Sequence, residues 1–119
     1  MSQNFESGDF LVFQLEAGFA LLRILDADGF GVDRVWHLTV YRDFFLDVES
    51  AETASRSPLS ISVSDSHLAL TNRAFESTQV AKISNQPLNA SELEGLNAWR
   101  NSANKEVSDR SVRLLLGVR

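Results

Sequence analysis

The sequence predicts a mainly β protein, built as a small, strongly bent antiparallel sheet or an SH3-like barrel with one capped helix in the C-terminal half. Two observations lead to this prediction. Apolar and polar residues alternate with a period of two in several short segments that are separated by turn residues. One later segment, at about residues 90–101, has helical spacing and a helix-start signature instead.

The N-terminal hairpin is the clearest pair of predicted strands. Its two alternating segments are joined by a turn at residues 16–18, which ends on a glycine. In the second strand Ala20, Leu22 and Ile24 form a uniformly apolar set, so this set is expected to face the core. Arg23 is then expected to point outward, toward solvent or a partner.

The rest of the chain is assigned from the same two periodicities. Asp47 is expected to cap a short helix that runs to Ser55, because acidic residues stand in its first turn. Residues 72–77 have no clean period and are expected to form a connector. The remaining predicted strands are residues 32–41, 59–64, 68–70, 78–83 and 111–118.

The late helix is predicted from its start signal. Asn89 as N-cap with Glu92 three residues later forms a capping box. Leu93, Leu96 and Trp99 follow at spacings of three and predict one apolar stripe that packs on the sheet. A glycine inside this helix costs about 1 kcal/mol relative to alanine.

Length and composition indicate one soluble domain spanning residues 1–119. Hydrophobic residues make up 44% and charged residues 23% of the chain, which is ordinary for a globular protein. The formal net charge of −5 makes nucleic acid an improbable partner and favours a basic protein. The chain has no cysteine, no signal-peptide pattern and no long apolar run, so we expect a cytoplasmic protein without a membrane span.

One resemblance is found in the first third of the chain. Gly8-Asp9, followed by alternating apolar residues, a glycine turn and a second strand with Arg23, resembles the opening hairpin of two SH3-like barrel families. One is a family of bacterial immunity proteins, and the other is the PemK/MazF-type toxin ribonucleases. The toxin family usually has an Arg-Pro pair where this chain has Gly18 and the residues after it, so its catalytic assignment is not transferred. The immunity family implies a non-catalytic protein that inhibits a toxin.

The best catalytic constellation in the sequence consists of arginines and one histidine. Arg34, Arg73 and His37, with Arg42 beside them, could hold a phosphate or carboxylate and transfer a proton. Adjacent acidic residues offer a simpler alternative, in which the arginines form ion pairs. The leading interpretation therefore assigns no catalytic residue.

A metal site is considered for the two histidines. His37 and His67, if they met Asp65 or Asp33, would supply a workable first shell. The favoured alternative is that the histidines bind no metal, and no cofactor is predicted. Asn72 and Arg73 are interpreted as a structural latch that satisfies nearby polar groups. The residues proposed for binding are Asp9, Arg34, Trp36, His37, Asn72, Arg73 and Glu76.

Three hypotheses for function follow. The first is an acidic, non-enzymatic binding protein, such as an immunity-like inhibitor of a basic protein. The second is an RNA-cleaving enzyme of the toxin type that uses His37, Arg34 and Arg73. The third is a structural subunit that forms a homodimer through an exposed strand edge.

Overall fold

The computed structural model describes residues 5–112 of the chain. The strands, in chain order, are β1 Asp9–Leu15, β2 Gly18–Asp28, β3 Val35–Phe45, β4 Val63–Thr71 and β5 Ala81–Asn85. The α-helices are α1 Val48–Ser55, α2 Asn72–Ser77 and α3 Glu94–Arg100, and 3-10 turns lie at Gly31–Asp33, Pro58–Ser60 and Ser91–Leu93. None of the described helices is long and apolar enough to cross a membrane.

The mainly β prediction is confirmed. The five strands form one antiparallel sheet in the order β4-β3-β2-β1-β5. Within residues 5–112, β4 and β5 lie at opposite edges and do not pair, so the strands form an open sheet. The predicted strand at 111–118 lies almost entirely outside the described residues.

The N-terminal hairpin forms where the sequence predicts it. Leu15 pairs with Gly18 across a two-residue turn. Gly18 is required for packing, because a Cβ atom at this position would stand 2.5 Å from the carbonyl oxygen of Phe45. The glycine therefore allows β3 to approach the start of β2 closely.

Both faces of the sheet are buried. The first face, covered by α2, consists of Leu11, Phe13, Leu15, Ala20, Leu22, Ile24, Trp36, Leu38, Val40, Leu70, Ala74, Phe75 and Val112. The second face, covered by α1 and neighbouring segments, consists of Phe10, Val12, Leu21, Tyr41, Ala51 and Ile61. The predicted inward set of β2 is confirmed, but the expectation that Arg23 points outward is wrong, because Arg23 is fully buried on the second face. When a sheet is covered on both sides, side chains on either face of its central strands are buried.

The middle of the chain departs from the predicted strand limits. β3 begins only at Val35, because Gly31–Asp33 forms a 3-10 turn. The strand then continues past its predicted end, to Phe45. The predicted strand at 59–64 is also largely wrong. Pro58 opens a 3-10 turn there, Leu59 is 72% exposed and β4 starts only at Val63.

The predicted connector at 72–77 is helix α2. The hydroxyl of Thr71 accepts a hydrogen bond from the backbone N–H of Ala74 at 3.2 Å, which caps the first turn. The following strand is consequently displaced toward the C-terminus, to Ala81–Asn85. The short helix after Asp47 is confirmed, and the Asp47 carboxylate accepts from the N–H of Ser50 at 2.7 Å.

The capping box before the late helix is confirmed. Asn89 Oδ1 accepts from the N–H of Glu92 at 2.9 Å, and a Glu92 carboxylate oxygen accepts from the N–H of Asn89 at 3.1 Å. The first turn is a 3-10 turn, and the α-helical part begins at Glu94. Helix α3 packs beside β4 on the second face of the sheet, where Leu96 is buried.

Candidate functional site

Two regions carry the chemically distinctive side chains. The first, here called the histidine cluster, lies on the second face of the sheet under helix α3. It consists of Asp28, His37, His67 and Trp99. It opens on a groove of about 660 Å³ at the edge of β4, which is lined by Asp65, His67, Leu68, Ala69, Trp99, Glu106, Val107, Ser108 and Arg110.

Strand pairing brings the cluster together. The β2–β3 ladder places the end of β2 beside His37, after a register shift between Ile24 and Asp26. The β3–β4 ladder pairs Leu38 with Leu68, so that His67 lies next to His37. The aromatic ring of Trp99 then covers both imidazoles, with centroid distances of 4.8 Å to His37 and 5.6 Å to His67.

A chain of hydrogen bonds runs through the cluster. His37 is fully buried; its Nε2 lies 2.8 Å from a carboxylate oxygen of Asp28, and its Nδ1 lies 2.9 Å from Nε2 of His67. A carboxylate can only accept, so Nε2 of His37 carries a proton and donates to Asp28. In the neutral ring Nδ1 then accepts from Nε2–H of His67, which leaves the lone pair of the His67 ring on Nδ1.

A flanking ion pair supports the carboxylate end of this chain. Arg100 donates to Asp26 at 2.7 Å and to Asp28 at 2.8 Å. The pKa of Arg100 is raised, chiefly by the hydrogen bond to Asp26. Burial alone would raise the pKa of Asp28, but the hydrogen bond from His37 and the charge of Arg100 outweigh burial and lower it. Asp28 is therefore a carboxylate at neutral pH.

The His67 imidazole is neutral at physiological pH. Burial is the largest cause and, with the repulsion that a proton on His37 would exert and the positive charge of Arg100, lowers the pKa of His67 to about 4. Within the described residues, Nδ1 of His67 has no hydrogen-bond partner and is not fully buried. The ring thus presents an accessible, unprotonated nitrogen at the groove.

Gly95 allows the helix to cover the histidines. A Cβ atom at this position would stand 2.9 Å from both Cβ of His67 and Oγ of Ser66. Real Cβ atoms do not approach other atoms this closely, so only glycine lets α3 pack at this depth. The unfavourable helix propensity of Gly95 is thereby explained by a requirement of packing.

The proposed metal site is tested by this geometry. His37 and His67 do meet, but their facing nitrogens bond each other and leave no space for an ion between them. A carboxylate oxygen of Asp65 accepts from the backbone N–H of His67 at 3.2 Å. Among residues 5–112, no group of three or more His, Asp or Glu side chains is arranged to hold a metal ion.

The second region, here called the acidic-apolar surface, is the continuous stretch 43–49. Phe44, Leu46 and Val48 are 56%, 86% and 39% exposed. Asp47 lies between Leu46 and Val48, Asp43 and Glu49 stand at the two ends, and the stretch contains no basic residue. The β1–β2 turn lies alongside, because Gly18 approaches the backbone of residues 45 and 46.

The residues of the ribonuclease hypothesis do not converge. Trp36 and His37 are consecutive on β3 and project from opposite faces of the sheet. Arg34 lies on the Trp36 side, with its guanidinium 5.3 Å from the indole centroid. Arg73 forms an ion pair with Asp109. The sheet therefore separates these arginines from His37.

The remaining proposed binding residues have local partners. Trp36 is buried and donates to Asn72 Oδ1 at 2.9 Å, and Asn72 donates to the carboxylate of Glu76. This geometry matches a latch between β3 and α2. Asp9 is buried and accepts from Asn85 and the N–H of residue 6. Burial alone would raise the pKa of Asp9, but these bonds and Lys82 lower it.

A buried ion pair on the second face was not anticipated. Arg23 donates to the carboxylate of Glu92 and to the carbonyl oxygens of Gln86 and Pro87, at 2.7 and 3.0 Å for the two carbonyls. Its guanidinium also lies 4.5 Å from the ring centroid of Phe10. An arginine inside an otherwise apolar strand is a signal of burial, but the sequence does not reveal its partner 69 residues away.

Comparison of the chain with protein-family models, with curated proteins and with solved structures gives no match. Functional inference consequently rests on the side chains themselves. Sequence reasoning named both histidines but missed their carboxylate, Asp28, and the flanking Arg100. The only signal in the sequence was their charge: Asp28 stands at the end of an alternating strand, and Arg100 stands at the end of an amphipathic helix.

Proposed function

We propose that this chain is a protein-binding domain that recognises a basic partner through the acidic-apolar surface. The observation that carries the proposal is the exposure of Phe44 and Leu46 between acidic residues. Large side chains exposed together on a folded domain are typical of interaction sites. Inhibition of a toxin, as the resemblance to immunity proteins implies, is the specific form of this proposal.

Protein interfaces combine apolar side chains with charged side chains at the rim, and the acidic-apolar surface has both. Apolar side chains such as Phe44 and Leu46 supply binding energy when a partner removes them from water. Carboxylates at the rim, such as those of Asp43 and Glu49, accelerate association and select a partner of opposite charge. The net charge of −5 acts in the same direction.

The charge of the groove supports binding of protein over cleavage of RNA. Two carboxylates, from Asp65 and Glu106, and one guanidinium, from Arg110, line it. A phosphate backbone would meet more negative than positive charge there. The separation of Arg34 from His37 by the sheet points in the same direction.

The experiment compares two exposed aliphatic residues. The tagged chain captures its partner from the host cell, and the dissociation constant is then measured for Leu46→Ser and for Val32→Ser. Val32 is 87% exposed, against 86% for Leu46, but its neighbours Asp33 and Arg34 cancel in charge. Leu46→Ser is expected to weaken binding about tenfold or more, which corresponds to roughly 1.4 kcal/mol. Val32→Ser is expected to leave the affinity unchanged.

Salt and oligomeric state complete the test. Affinity for a basic partner should fall as ionic strength rises, and Glu49→Gln should reduce that dependence. Equal loss in Leu46→Ser and Val32→Ser would count against this surface. Recovery of the chain alone, together with a dimer in solution, would support the homodimer hypothesis instead.

A further inference from the structure

Beyond protein binding, we propose that the groove beside the histidine cluster is a catalytic site, in which His67 is the nucleophile toward a small, uncharged or cationic activated ester. Three features of the structure lead to this assignment. They are the hydrogen-bond chain behind His67, the accessible Nδ1 atom at its end, and the composition of the groove in front of it.

The hydrogen-bond chain gives the imidazole of His67 a path for its proton. Asp28 accepts from His37 at 2.8 Å, and His37 in turn lies 2.9 Å from Nε2 of His67. His37 is fully buried, so water does not compete for these bonds. The arrangement follows the logic of a carboxylate that orients an imidazole, which then serves as base to the nucleophile. Asp28 and His37 are positioning residues in this scheme.

The chemical step is an acyl transfer. The Nδ1 lone pair of His67 attacks the ester carbonyl carbon, the new N–C bond forms, and the C–O bond to the leaving alkoxide or phenolate breaks. As positive charge develops on the ring, the Nε2 proton passes to Nδ1 of His37, whose imidazolium form is stabilised by Asp28. Water then attacks the acyl carbon, the N–C bond to Nδ1 breaks, and the carboxylic acid is released with one proton of the water. The other proton of the water passes through solvent to the released alkoxide or phenolate, and the proton on His37 returns to Nε2 of His67.

The groove defines the class of substrate. Trp99, Leu68 and Val107 supply an apolar wall, on which an aromatic or alkyl group can pack. Asp65 and Glu106 outnumber Arg110, so a phosphate or carboxylate substrate is disfavoured. Neutral or cationic esters satisfy both conditions.

The lowered pKa of His67 agrees with this assignment. The ring is uncharged at neutral pH, so its lone pair is not occupied by a proton. The charged groups around the pair are Asp26 and Asp28 from β2, Asp65 from β4, Arg100 from α3 and Glu106 from the following loop. Arg110 also lines the groove, and of these groups Asp28 bonds an imidazole directly, at 2.8 Å from Nε2 of His37.

The first experiment measures release of p-nitrophenolate from p-nitrophenyl acetate. The unaltered full chain is expected to give a burst of one equivalent, and acid quenching followed by peptide mapping should place one acetyl group on His67. His67→Ala should lower the rate about tenfold or more, to that of the same concentration of N-acetylhistidine methylamide. p-Nitrophenyl phosphate should not be cleaved, because of the acidic groove.

The second experiment uses a matched pair of carboxylates. Asp28→Asn removes the negative charge that faces both His37 and Arg100, whereas Asp26→Asn removes a negative charge that faces Arg100 but bonds neither histidine. Thermal melts monitored by circular dichroism establish that both variants fold. Asp28→Asn should lower the plateau rate about fivefold or more, and Asp26→Asn should leave it within about twofold.

The pH profile separates a positioning role from a structural one. Loss of the Asp28 carboxylate should move the acid midpoint of the rate to lower pH, because the protonated histidine pair loses its negative partner. Asp26→Asn should leave the midpoint in place. A rate for the unaltered chain equal to that of His67→Ala, an acetyl group on another residue, or equal rates in the two Asp variants would overturn the proposal.

Discussion

The second face of the sheet holds two clusters of buried polar side chains, and the two clusters obtain their hydrogen-bond partners in different ways. Around Arg23, the fully buried guanidinium is neutralised by Glu92 and donates to two main-chain carbonyls. Around His37, the partner is a second imidazole whose far edge reaches the groove. The first cluster is closed and suits a structural role. The second is open to solvent at one end and suits a role in chemistry.

The two clusters are therefore expected to respond to different changes. A closed ion pair depends on both partners, because a buried charge without a counter-charge is expensive. An open chain of neutral imidazoles depends on pH and on the depth at which α3 packs, because its members can exchange protons with water. Three changes test this contrast.

The largest effect is expected from Glu92→Gln. The amide retains the capping contact to the N–H of Asn89 but removes the charge that faces Arg23. Leaving the guanidinium buried without its counter-charge should lower the free energy of unfolding by about 3 kcal/mol. Urea denaturation measures this loss. Glu94→Gln, an exposed change at the start of α3, is the control and should shift stability by less than about 0.5 kcal/mol. A loss below about 1 kcal/mol in Glu92→Gln would show that the pair is not required.

A smaller effect is expected from Gly95→Ala. In an exposed helix this change would stabilise by about 1 kcal/mol. Here the new methyl group would contact His67 and Ser66 at 2.9 Å, and overpacking should lower stability by about 2 kcal/mol. Thermal unfolding gives the sign directly, and Asn97→Ala, an exposed change on the same helix, should be neutral or slightly stabilising. An increase in stability in Gly95→Ala would contradict the close packing of α3 on β4.

The smallest effect is expected from pH. Because the pKa of His67 is about 4 in the folded chain and near 6.5 when unfolded, the unfolded state binds more protons between these values. Stability should therefore be complete above pH 6.5 and fall as the pH approaches 4, by roughly 1 to 2 kcal/mol after allowance for solvent screening. Below pH 4, protonation of Asp28, whose pKa is also lowered, should remove more. Urea midpoints measured at several pH values should depend less on pH in His67→Ala than in the unaltered chain. The same pH dependence in both would show that His67 is not the source of the acid loss of stability.

Local rules recovered much of the fold. Alternation located the N-terminal hairpin, and the capping box at Asn89 located the start of the late helical segment. The same rules failed at 59–62 and 72–77, where a proline and a threonine cap changed the local geometry. In both cases a turn or a short helix has too few residues to produce a readable period.

The candidate site was recovered only in part. His37 and His67 drew attention because they are the only histidines, but their carboxylate partner Asp28 was not among the residues proposed for a site. Glycine at position 95 looked like a defect of the helix, although it is the residue that lets Trp99 reach the imidazoles. Each of these roles depends on a neighbour from another strand or helix.

Four features can be inferred from the chain alone: the β-rich class, the first hairpin, the acidic balance and the residue that caps the late helix. These features follow from dihedral preferences, hydropathy period and formal charge, which act between residues close in the chain. The burial of Arg23 and His37, and the position of His67 at a groove, depend on the packing of distant segments. Burial of a polar side chain is stable only when distant segments supply its partners, and that pairing is set by strand order and helix packing.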